Sequence, residues 1–180
     1  MKYYFEELNW INQIVHPPSV LEHYERWWNT NRLSQVADVE FAVLMLRICI
    51  YATYFLPSQR YTVDSIRGKS LSENRSSCNG ISAQLENIFD AAMLRGLLIR
   101  VQYMYITGMC HECEGRIKLS WSTLCCAIRE AQEVGLHRES LNWGTRVVDD
   151  VERAMSRRVF CNLYIWDRFV LKGYHLLQLY

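Results

Sequence analysis

The residues most able to do chemistry in this 180-residue chain are the cysteine and histidine group Cys110-His111-Glu112-Cys113. Two thiolates one helical turn apart can grip one tetrahedral ion, so Cys110 and Cys113, with His111 between them, are the candidate metal ligands. The second half of such a site is missing. Cys125 and Cys126 are adjacent and point about 100° apart on a helix, while His137 lies beyond a helix stop. The run Arg67-Gly68-Lys69-Ser70 carries the last letters of a phosphate-binding loop, but Val63 stands where the first glycine belongs and no strand precedes it. Glycine-elbow, helical His-Glu-x-x-His and dinucleotide-binding patterns are all absent. His16, His23 and His175 each stand alone, without a paired base or nucleophile. Trp27 and Trp28 could stack on bases, yet Glu22 and Glu25 beside them remove the electrostatic half of a nucleic-acid site, which makes them core anchors. No catalytic residue and no cofactor site emerges.

Whatever these residues do depends on the elements that hold them. Half of the chain is hydrophobic, and a chain of this size buries about 70% of the surface its unfolded form exposes. One compact domain over residues 1–180 is the expectation. With 20 basic and 19 acidic residues, net charge gives no general attraction to nucleic acid or anionic lipid. Seven cysteines, an odd number in a chain too large to need disulfide staples, read as thiols in a reducing, intracellular compartment. The most apolar stretch, Phe41 to Leu56, carries Arg47 at its middle and falls short of the ~20 residues that cross a bilayer.

Helical periodicity dominates and alternation of period two is nowhere sustained, so the fold class is all-α, a bundle or array of about six to eight helices with no sheet. A first helix from about Tyr3 ends before His16-Pro17-Pro18, and Ser19 with Glu22 has capping-box spacing for a second. The third, to about Leu56, is apolar nearly all round and belongs in the interior. Residues 57–80 read as polar loop. Helices follow at about Ile81 to Phe89 and Ala91 to Met109, and then an amphipathic helix with Ile117, Trp121, Leu124, Cys125, Ile128, Ala131 and Val134 inward. Gly135 stops it, with Leu136 folding back as the hydrophobic contact of the cap. A final helix begins near Asp149 and runs to about Val170.

The stretch "AIREAQEVGLHRES" followed by "DDVERAMSRRVFCNLYIWDR" resembles the signature of the fungal-specific transcription factor domain, the middle homology or regulatory region of binuclear zinc cluster factors, of the type found in activators of xylanolytic genes. "YYFEELNWINQIVHPPSVLEHYERWW" and "LMLRICIYATYFLPS" are similar to the same family, and the resemblance covers most of residues 3–168. Residue by residue, Gly135, Leu136, His137 and Arg138 match the helix stop. Glu152, Arg157, Arg158, Phe160, Leu163, Tyr164, Asp167 and Arg168 match the helix that follows.

The resemblance implies a non-catalytic, all-α regulatory domain, placed in the nucleus and acting through its own longer chain, protein partners or self-association. Those signature residues are then scaffold rather than catalysts, with Phe160, Leu163 and Tyr164 suited to packing. Zinc and DNA binding belong to the family's N-terminal six-cysteine cluster, which this chain lacks, so no direct DNA contact and no zinc are expected here. After Asp167-Arg168 the chain departs from the family's usual continuation, which implies a domain incomplete at its C-terminus. The rival readings are a helical interaction scaffold or non-functional truncated gene product, and an enzyme built on Cys110, His111 and Cys113.

Overall fold

A computed structural model describes residues 1–29, 36–56, 65–66, 68–92, 98–138 and 149–177. The fold is helical: a π-helical turn Tyr4–Leu8, then α1 Asn9–Asn12, α2 Pro17–Asn29, α3 Val36–Thr53, α4 Leu71–Ala92, α5 Leu98–Cys113, α6 Ile117–Val134 and α7 Asp150–Leu177. Extended structure among the described residues amounts to one two-residue antiparallel pair, β1 Ser65–Ile66 with β2 Lys69–Ser70. The chain divides into two compact units, one of Met1–Ile11 with Pro17–Arg95 and one of Asn12–His16 with Gly96–Tyr180.

In the first unit, α2 begins at Pro17 rather than at the capping box expected on Ser19. Proline at the first helical position has its φ already set and lacks only an N–H that would find no partner there. Val20 of α2 is buried and His23 and Trp27 are half-buried along the same stripe, while Trp28 is exposed and so is no core anchor. α3 is the interior helix that its composition demands, with Phe41, Val43, Leu44, Ile48 and Ile50 all excluded from solvent. Arg47 is buried among them and donates to Asn79 Oδ1 at 2.7 Å and to Glu86 Oε1 at 2.9 Å, which joins α3 to α4.

Residues 71–80, expected as loop, are instead the first turns of α4. Ser70 and Glu73 form a reciprocal cap: the Ser70 amide donates to Glu73 Oε2 at 2.7 Å, and the Glu73 amide donates to Ser70 Oγ at 3.2 Å. These two bonds satisfy donors that a helix start leaves orphaned. The Ser70 amide and the Ser70 hydroxyl, which also donates to Glu73 Oε2 at 2.8 Å, hold the Glu73 carboxyl below its ordinary range. The cap also resolves the Gly68-Lys69-Ser70 run. Gly68 turns with φ 78°, and Glu73 itself occupies the end of the helix where a phosphate would sit. Arg67 and Val63 lie outside the described residues.

His23 stacks on Phe41 with ring centroids 4.0 Å apart and an interplanar angle of 8°, and its Nε2 lies 3.6 Å from Asp38 Oδ1. Burial, and secondarily the charge of Arg26, lower its pKa below the ordinary 6.5 despite the pull of Asp38. As pH falls below 6.5 the unfolded chain therefore takes up the proton before the folded chain does. Stability is expected to be highest above that pH and to decline as pH falls toward the lowered folded value. His23→Phe should flatten this part of a denaturation-midpoint profile measured between neutral and mildly acidic pH. A profile unchanged by the substitution would remove His23 as the cause.

Candidate functional site

The second unit is built on two helix stops of the same kind. At the end of α5, Gly115 has φ 71°, its amide donates to the Glu112 carbonyl at 2.9 Å, and the Arg116 amide donates to the His111 carbonyl at 2.8 Å. At the end of α6, Gly135 has φ 85°, its amide donates to the Gln132 carbonyl at 3.1 Å, and the Leu136 amide donates to the Ala131 carbonyl at 2.8 Å. This pair of crossed bonds satisfies two of the carbonyls that a helix end leaves free, and it requires a left-handed residue that glycine supplies without a Cβ clash. Leu136, next in line, is buried as the plug of that cap.

Gly135→Ala is expected to cost about 1 kcal/mol, because the positive φ strains any Cβ, and Gly135→Val should cost more. A thermal melt left unchanged by both would mean that the cap does not hold the helix end.

Beyond the α6 stop, His137 and Arg138 are exposed. The His137 ring lies 6.0 Å from that of Phe160 on α7, and Arg138 Nε donates to His137 Nε2 at 3.2 Å. α7 presents Met155, Val159, Leu163 and Trp166 as one buried stripe, each three or four residues after the last. It packs against α6, whose Leu124, Ala127 and Ala131 are fully buried. Glu152 is half-buried on the first turn of α7, and its carbonyl accepts the Ser156 hydroxyl at 2.8 Å. Between α5 and α6, Arg100 Nε and Glu130 Oε1 form an ion pair at 3.5 Å, with both side chains largely buried.

The structure therefore brings His137 to Phe160 just beyond the cap made by Gly135 and Leu136. Phe160 is half-buried, Leu163 is fully buried, and Asp167 is half-buried on the side of Cys125. Tyr164, expected to pack, is exposed, because α7 has core on one side only at that level. The Arg168 guanidinium lies over its ring, 5.0 Å from the centroid. Arg157 and Arg158 are exposed and make no side-chain ion pair or hydrogen bond among the described residues.

The contacts that the signature missed are those closing the unit. Trp166 lies against Gly108 of α5, its ring 4.9 Å from that of Tyr105, and its Nε1 donates to Glu112 Oε1 at 3.2 Å. Gln102 of α5 donates to the Ile14 carbonyl and Asn162 of α7 to the Asn12 carbonyl, each at 2.8 Å, so two amides fasten the Asn12–His16 segment. A helix-interior amide carries no periodic signal. Gly108 shares a helix face with Leu98, Val101, Met104 and Tyr105, and Trp166 stands between Ile165 and Asp167 in "YIWDR", so the sequence shows both residues but not that they meet.

The Cys110, His111 and Cys113 group occupies the last turn of α5, where the backbone of His111 and Glu112 serves the helix stop. Cys110 is buried, Cys113 is exposed, and His111 Nδ1 is 3.9 Å from Glu114 Oε2. Burial and the neighbouring Glu112 and Glu114 carboxylates push the Cys113 thiol up, away from the thiolate that a metal requires. Among the described residues no three His, Cys, Asp or Glu side chains converge as a metal set, and no helix is long and apolar enough to cross a membrane. All seven cysteines are free thiols. His16 sits half-buried in the fastened segment, and the side chain of His175 lies outside the described residues.

Residues 1–172 match the fungal specific transcription factor domain. The chain is 63% identical over 163 residues to the probable transcription factor sol4 of Alternaria solani, across 91% of this chain and 29% of that protein. It is 40% identical over 171 residues to the transcription factor xilB of Penicillium rubens, across 93% of this chain and 26% of that protein. The chain thus spans between a quarter and three tenths of the length of these relatives. No solved structure matches it.

Proposed function

The chain belongs to the fungal specific transcription factor domain family, and from that premise we propose that it is the regulatory, middle homology domain of a nuclear transcription factor, working through protein contacts rather than chemistry. The observation that carries this reading is the match over residues 1–172, which takes in both glycine-stopped helices and most of α7. The signature residues agree with it in kind: Gly135 and Leu136 close a helix, Leu163 is core, and Arg157 and Arg158 face solvent. None is arranged as a nucleophile with its base.

Zinc and DNA binding are assigned to a separate cysteine cluster of the full-length factor. The arrangement around Cys113 supports this, since burial and the carboxylates of Glu112 and Glu114 push its thiol up and Glu112 accepts a hydrogen bond from Trp166.

A domain exchange tests the function. This chain, put in place of the corresponding region of sol4, is expected to keep the reporter output of the intact factor, whereas deletion of that region should change it. A chimera that accumulates normally yet behaves like the deletion would contradict the proposal.

A further inference from the structure

The outer face of α7 exposes three large hydrophobic side chains that the packing of the second unit does not use. Phe169 is 79% exposed, Ile165 61% and Tyr164 55%. They stand in two adjacent lines along the helix, Arg157, Tyr164, Arg168 and Arg158, Ile165, Phe169, each with spacings of seven and then four residues, so that both lines follow one side of the helix. The face is one-sided in charge as well. Arg157, Arg158 and Arg168 are exposed on it, and the nearest acid, Asp167, is half-buried toward Cys125 of α6. Burying Phe169 and Ile165 together would remove two large apolar side chains from water, which is the kind of anchor a partner helix uses. Three guanidiniums with no acid between them on this face, among the described residues of α7, select the partner's sign, because they form forked bonds to carboxylates and repel other cations.

We propose that this face of α7 docks an acidic, amphipathic helical segment of a protein, its apolar side chains on Ile165 and Phe169 and its carboxylates on Arg157, Arg158 and Arg168. The two lines run about 16 Å along the helix, which matches about three turns of a partner helix laid beside it. This specifies the kind of contact for the protein-contact reading above and rests on that reading.

The probe is a fluorescein-labelled helical peptide of about four turns, with leucines three and four residues apart and glutamates elsewhere, titrated with the 180-residue chain and followed by fluorescence anisotropy. Binding should weaken about tenfold between low and physiological salt, as exposed ion pairs are screened. Phe169→Ser should weaken it about tenfold or more, as loss of an apolar anchor does. Joint Arg157→Glu and Arg158→Glu should abolish it and create binding to the same peptide with lysine at every glutamate. Circular dichroism melts of these surface variants should match the parent.

Equal affinity for the glutamate and lysine peptides, or binding that ignores both sets of substitutions, would overturn the proposal. So would sedimentation showing that the chain alone is a dimer which Phe169→Ser makes monomeric, since the face would then belong to a second copy. If the sol4 chimera functions while the peptide fails to bind, this inference falls and the regulatory reading stands.

Discussion

Trp166→Ala is expected to remove about 3–5 kcal/mol of stability, the range for emptying a large aromatic site in a core. The ring is 7% exposed and touches α5 on three counts: it covers Gly108, meets Tyr105, and donates to Glu112. The reciprocal change acts on the same seat. A Cβ added at Gly108 would stand 2.4 Å from the far edge of the Trp166 ring, closer than real Cβ contacts come, and a rigid ring has no flexible end to move aside. Gly108→Ala should therefore cost about 1–3 kcal/mol by overpacking. Combined with Trp166→Leu, which leaves room for the methyl, it should cost less than the sum of the two single changes. Urea midpoints of the parent, both single variants and the double variant measure this coupling. Strict additivity would mean that the ring and Gly108 do not meet.

The second large effect is expected at Arg47. Its guanidinium is enclosed between α3 and α4, bonded to Asn79 and Glu86, and Arg47→Met keeps much of the volume while removing the charge. Breaking a buried ion pair on one side costs about 3–5 kcal/mol because the remaining charge has no partner. Glu86 retains 32% side-chain exposure and can be hydrated, so we expect about 2–3 kcal/mol. Adding Glu86→Gln to Arg47→Met should recover part of the loss, since the unmatched carboxylate disappears. A denaturant midpoint that stays at the parent value in Arg47→Met would show that the pair adds nothing to the α3–α4 contact.

These two sites show where the sequence was legible. Arg47 stood out within Phe41 to Leu56 as a charge that a membrane span would exclude, and the interior helix around it follows from its all-round apolarity. Its partners stayed hidden, because Asn79 sits in "SLSENRSSCNG", where serine, asparagine and glycine suggest a loop. The correct signal was the Ser70-Leu71-Ser72-Glu73 spacing, a reciprocal cap that outweighs composition once a buried helix lies alongside. Gly135 was legible for the opposite reason: a glycine after an amphipathic run, followed by an apolar residue, is a local pattern with a local cause.

Periodicity also placed Leu163 and Trp166 on α7 and put apolar residues on more than one of its faces, but it could not say which face the core takes, and Tyr164, suited to packing, is exposed. The α7 end near Val170 fell short as well, since the helix continues to Leu177 with no stop chemistry at that point. The amides of Gln102 and Asn162 act across 88 and 150 residues of sequence, a separation at which residue type alone carries no information. The fold was therefore readable where forces act within a turn or two, and unreadable where a single side chain spans the chain.

The most direct measurement of the central claim, a regulatory domain that acts through protein contacts, is the output of a reporter gene in a fungal nucleus when this chain is tethered to an unrelated DNA-binding module. The tethered chain is expected to shift the output severalfold from that of the module alone, and Trp166→Ala, which is expected to destabilise the second unit strongly, should reduce or abolish the shift. A folded, nuclear, equally abundant fusion whose output equals that of the module alone would contradict the account.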